Sequence, residues 1–335
     1  MTRKHGSSSH RGRRCAIAAI AGAVLFAAGG PATAQGNWPE RSVRIVVPFS
    51  AGGATDVVAR AIAQNLTEYW SQSVVVENRA GAGGNIGAEV VAKAPPDGYT
   101  ILMTSGSIVT VNPHMYKQLP FDAAKDFVPV TNVASGPQVV AVHPDVPAKT
   151  VKELIALAKS NPGKLNFGSA GIGTQTHMAA ENFVNAAGLQ ATHVPYKGES
   201  AALADLAAGS IQFVVTNLAA AVPFVNNGRI RALAVTSKSR AALMPDLPTV
   251  AESGLPGFEN SGWFGFMLPA GTPQAVVDKV YRDTRRALED TRLKARLHVA
   301  GMAPVGNSPK QFAQAIAEES KMWAEVVKNR GLKVN

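Results

Sequence analysis

Two glycine-rich segments carry the residues of this chain best suited to chemistry. The first is Phe49-Ser50-Ala51-Gly52-Gly53-Ala54-Thr55-Asp56; the second is Gly168-Ser169-Ala170-Gly171-Ile172-Gly173-Thr174, running on to His177. Each follows a β-branched run and precedes an Ala-rich helical stretch, so each reads as a strand-to-helix turn. Glycine lets backbone N–H groups converge, and Thr55 and Thr174 fit as helix N-caps. Free amides and the positive end of a helix dipole together bind anions. One such turn alone is more simply an ordinary capped turn. Two in matching positions point to a ligand site, one turn for each end of a small carboxylate.

Other polar groups fall at the same level of the chain's strands. Tyr196-Lys197-Gly198 follows the run His193–Tyr196; Tyr196 offers a wall with a hydroxyl, and Lys197 is either a ligand charge or a solvated lysine at a helix start. Thr216-Asn217 ends the run Ile211–Thr216, and Thr104-Ser105 ends Tyr99–Thr104, so Thr216, Asn217 and Ser105 join the candidate ligand-binding set. Gly81–Gly87 is read as a packing turn into the next helix, since it misses the dinucleotide-loop spacing by one position.

Stepping outward from those turns, short β-branched runs alternate with helical segments along the chain, which predicts an α/β fold with mainly parallel sheets covered on both faces. Two proline-punctuated extended segments, Phe127–Pro144 and Leu255–Pro273, are expected to be crossovers between two α/β domains with a ligand cleft between them. The first domain is then discontinuous, residues 38–137 plus 259–335, and the second is residues 138–258. A single two-layer domain with long loops is the alternative.

The chain has 335 residues, 46% apolar and 17% charged, which is long enough for two cores and excludes a disordered protein. Its formal net charge of +10 is partly an N-terminal effect: residues 1–34 hold Arg3, Lys4, Arg11, Arg13 and Arg14 and no acid, leaving 28 Lys and Arg against 23 Asp and Glu. A positive segment, an apolar run from Cys15 to Ala28 and the small residues Ala32-Thr33-Ala34 read as a secretory signal peptide spanning residues 1–34 and cleaved after Ala34. Arg13-Arg14 leaves Sec and twin-arginine export both open. Cys15 is the one cysteine, so the exported chain has no disulfide. The five histidines after residue 34 show no ligand spacing, and no Walker loop, His-Glu-x-x-His or Gly-x-Ser-x-Gly occurs, so no metal, no cofactor and no catalytic residue is assigned. Basic residues are not interleaved with aromatics, so no nucleic-acid partner is expected. A monomer is expected.

These motifs together resemble the Bug family, the periplasmic solute-binding proteins of tripartite tricarboxylate transporters. The resemblance rests on Val47-Pro48-Phe49 with Gly52-Gly53-x-x-Asp56-x-x-Ala59-Arg60, Glu77-Asn78-Arg79, Pro96-Asp97-Gly98-Tyr99-Thr100, and Asn161-Pro162-Gly163-Lys164. It continues through Gly168–Thr174 with His177, Val194-Pro195-Tyr196-Lys197-Gly198, Gly254-Leu255-Pro256-Gly257-Phe258 and Pro269-Ala270-Gly271-Thr272-Pro273. It implies a bilobal periplasmic binding protein that closes on a small organic carboxylate and delivers it to the transporter's membrane permease subunits. It also implies that Phe49–Asp56 and Gly168–His177 hold the ligand, largely through backbone amides, hydroxyls and waters. The family often has Asp at the positions of Gln212 and Thr216; this chain has neither, which disfavours a ligand with an ammonium group.

The expected ligand is therefore a carboxylate without an amine, a dicarboxylate first, aromatic ones such as terephthalate included. Two alternatives stay open: an amino-acid or other carboxylate receptor feeding a signalling partner, and a secreted enzyme on the same bilobal fold.

Overall fold

The computed structural model describes residues 1–3 and 38–334. The apolar run and cleavage site expected of a leader, with Cys15, lie outside the described residues. No helix among the described residues is long and apolar enough to cross a membrane.

In the first half of the fold, β1 (Val43–Val47), a near-continuous apolar run, is flanked in parallel by β2 (Val74–Asn78) and β3 (Thr100–Ser105). Between β1 and β2 runs α1 (Ala54–Trp70), whose Val58, Ala59, Ile62 and Leu66 recur at helical spacing and are buried. Then come α2 (Asn85–Ala92) and the short α3 (Gly106–Thr110) and α4 (Asn112–Met115). The second half repeats the logic: β5 (Leu165–Ser169) pairs in parallel with β6 (Ala191–Pro195) and β7 (Phe213–Asn217), around α5 (Val151–Ser160), α6 (Gln175–Ala186), α7 (Glu199–Ala207) and α8 (Leu218–Asn226). Phe167, Phe183 and Phe213 fill its core.

One strand belongs to both halves. The 16-residue β4 (Phe127–Val142) pairs through Phe127–Pro137 with β9 (Ser261–Pro269), and through its last residues with β7 and with β8 (Arg231–Val235). The sheet order is β2-β1-β3-β9-β4-β7-β5-β6, with β8 and the short β10 (Ala303–Pro304) also on β4. The fold is thus α/β and two-lobed, joined where β4 and the approach to β9 pass between the halves.

The sheet departs from the mainly parallel arrangement expected, because β9 on β3 and every pairing of β4 are antiparallel. Strand–helix–strand units must return parallel, but the two proline-marked crossovers travel in opposite senses and zip together at the centre. Their prolines coincide with irregular register at Pro129 and with the handover at Pro137. After β9, α9 (Gln274–Glu289), α10 (Thr291–Val299) and α11 (Pro309–Arg330) pack back on the first half. Trp323 and Val327 of α11 also meet Met178 of α6 together with Val111 and Met115, an apolar contact between the two halves.

Candidate ligand-binding site

The turn after β1 enters α1 through Gly53, an extended N-cap with no side-chain capping bond. Thr55, expected as the cap, stands one residue inside the helix, because Gly52 at φ +82° completes the turn earlier than a threonine cap would need. Asp56 braces the turn: it accepts from the Gly52 N–H (3.0 Å), Asn78 Nδ2 (2.9 Å) and Arg60 Nε (2.9 Å). Burial alone would raise the Asp56 carboxyl, but these hydrogen bonds and the Arg60 charge outweigh it and hold it below the ordinary range.

The second turn has Thr174 as the N-cap of α6, as its sequence implies; Thr174 Oγ1 accepts from the His177 N–H (3.3 Å) and donates to Gly171 O (2.7 Å). Most of this turn's amides are used internally. Ala170 N–H donates to Thr176 Oγ1 (2.9 Å), Gly171 N–H to Ser169 Oγ (3.1 Å), and Gly173 N–H to His177 Nδ1 (3.2 Å). The result is a loop bonded to itself, with the first turn of α6 at the cavity.

Both turns line one cavity. Phe49, Gly53, Thr55 and Ser105 come from the first half, Ala170, Thr174 and Asn217 from the second, all within the expected set. Four more residues line it: Gln175 and Thr176, which fall within the Gly168–His177 stretch that the resemblance implied, and Glu199 and Phe264, which were not foreseen. Gln175 and Thr176 adjoin the Thr174 cap, which was the available signal. Glu199 stands in the first turn of α7, a local pattern that solvent-facing acids share. The halves touch around the cavity, with Ser200 Oγ donating to Ala51 O (2.6 Å), Tyr116 OH to Ile172 O (2.9 Å) and Gln175 Nε2 to Trp263 O (2.7 Å). A Cβ on Gly83 would strike Ile172 O, so the Gly81–Gly84 turn, read as local packing, in fact faces the second loop.

Other expected residues lie behind or beside the cavity. Gly52 and Asp56 are spent on each other, and Ala54 gives its N–H to Glu199. Ser169 Oγ contacts His193 Nε2 (2.7 Å), and buried His177 holds the loop through Gly173. Tyr196 donates to Asp205 (2.7 Å), and burial together with that bond pushes its phenol up to about 12. Lys197 is exposed and is not among the lining residues. Gln212 Oε1 accepts from the Asn166 N–H (2.9 Å), so that position braces β5 instead of facing a ligand. Thr216 Oγ1 donates to Glu199 Oε1 (2.9 Å): although Asp is missing at positions 212 and 216, the cleft does contain a carboxylate, supplied from α7.

Two α/β lobes with a cavity between the carboxyl ends of their strands define a ligand-binding cleft. The model of the tripartite tricarboxylate transporter family receptor matches residues 58–332, and the chain belongs to this family. It is 36% identical to the protein BugT of Bordetella pertussis over 95% of this chain and 98% of that one. The structure of Rpa4515 of R. palustris with adipate superposes with a TM-score of 0.86 at 38% identity, covering 88% of this chain and 98% of that one. MatC of Rhodopseudomonas palustris with bound malate superposes with a TM-score of 0.82 at 32% identity, covering 87% of this chain and all of that one. The protein is a solute-binding receptor, not an enzyme.

Proposed function

We propose that this receptor captures a small organic carboxylate in the cavity between the two glycine turns, closes over it, and delivers it to the membrane permease subunits of a tripartite tricarboxylate-type transporter. The lobes that close are residues 38–137 plus 259–335 and residues 138–258. The observation that carries the reading is the convergence of two helix starts, α1 and α6, from separate lobes on one cavity. Each start favours negative charge, and neither depends on a lysine. The adipate and malate held by the related Rpa4515 and MatC are both dicarboxylates, which supports that class as the first choice for this chain.

A second reading rests on Glu199, whose carboxylate in the cavity could pair with the ammonium of an amino acid. Calorimetry with succinate, adipate, terephthalate, benzoate, aspartate and glutamate separates the two. Micromolar binding of a dicarboxylate supports the first reading. Binding of aspartate or glutamate with no response to any dicarboxylate replaces it with the second.

A further inference from the structure

The Glu199 carboxylate reaches across the cavity to the first glycine turn. Its Oε2 accepts the N–H of Ala54, the first residue of α1, at 2.8 Å. Its Oε1 accepts from Thr216 Oγ1 (2.9 Å), the Asn217 N–H (3.0 Å) and Asn217 Nδ2 (2.6 Å). Four donors satisfy one carboxylate, three at the end of β7 and one on the opposite lobe, and Glu199 is only 6% exposed. A buried charge this well bonded is a cross-link between the lobes, with its desolvation offset by its partners. The free space beside it is about 20 Å³, room for a water or two and too small for an organic acid.

On the reading that the cleft takes a carboxylate, we propose that Glu199 is a tethered competitor for the ligand. In the empty receptor it holds the Ala54 amide and latches the lobes together; a ligand carboxylate takes that amide only after the Glu199 side chain has swung out. Glu199 is the first residue of α7, so its side chain can leave the cavity without unwinding the helix. A group that stabilises only the unliganded closed form lowers apparent affinity for every ligand that displaces it. Glu199 thereby sets a threshold: a ligand with a single weak anchor does not displace it, whereas one with a carboxylate at each end gains both turns.

The test compares wild type with Glu199→Gln and Glu199→Ala, by calorimetry with succinate, adipate and benzoate and by small-angle scattering without ligand. We expect the variants to bind succinate or adipate tenfold or more tightly than wild type, and to show a larger radius of gyration when empty. Glu199→Asp, which keeps the charge but is a methylene too short to hold both lobes, is expected to follow them and serves if a neutral variant fails to fold. Equal or weaker dicarboxylate binding by the variants overturns the competitor while leaving the receptor reading intact. If no protein binds any carboxylate, the reading of the cleft itself fails. An unchanged empty radius in every folded variant overturns the latch whether or not a ligand is found.

Discussion

The imidazole of His193 lies face to face with that of His177, ring centroids 4.0 Å apart, directly behind the second glycine turn. His193 is also stacked on Phe167 at 5.0 Å and contacts Ser169 Oγ. Burial, reinforced by neighbouring His177, lowers the His193 pKa from 6.5 to about 3. The folded protein therefore keeps His193 neutral where the unfolded chain takes up a proton. Stability should be unaffected by this residue above about pH 6.5 and fall as the pH drops from there toward 3. Melting temperatures between pH 7.5 and 4.5 should show a loss that His193→Gln reduces; an equal loss in the variant would remove His193 as its source.

Asp56 works in the opposite direction and over a lower range. Its carboxyl is held below its ordinary value of 3.8, so the stability it contributes is present above that pH and is lost as the pH falls through the lower folded value. Asp56→Ala leaves the Gly52 N–H, Asn78 Nδ2 and Arg60 without their acceptor. We expect a loss of about 1–3 kcal/mol in urea unfolding at pH 7, with weaker ligand binding because the turn loosens. A variant as stable as wild type would show that the turn holds without this brace.

The backbone of the turns should matter more for binding than Lys197. Gly173 has φ +79°, and a Cβ there would run into Asn112 Oδ1 across the cleft; Gly53 lines the cavity, where a valine side chain would take up the space of the ligand. Gly173→Val and Gly53→Val are expected to lose tenfold or more in affinity, about 1.4 kcal/mol, and exposed Lys197→Ala less. Calorimetry that finds binding abolished only in Lys197→Ala would reverse this ranking.

Export predicts a mature chain beginning at Gln35, after the Ala32-Thr33-Ala34 pattern. Intact-mass measurement of periplasmic protein should give that start. Retention of the uncleaved chain in the membrane would contradict a released receptor.

What the sequence by itself determined is local: two glycine turns, each between a strand and a helix, and the Thr174 cap. These interactions close within three or four residues, so residue type and spacing are enough to specify them. Strand–helix–strand alternation likewise indicated parallel pairing, which the structure has at β1–β2 and β5–β6. Only the tertiary structure decided that two extended crossovers would pair antiparallel as β4 and β9, since which distant strands meet depends on packing of the whole sheet. It also decided that Gln212 would brace β5, that Lys197 would face solvent, and that Glu199 would reach an amide 145 residues earlier in the chain. A carboxylate at the start of a helix has the same local pattern whether it faces water or another lobe. Its partner is set by where the lobes bring Ala54 and Asn217 together, and no spacing along the chain records that distance.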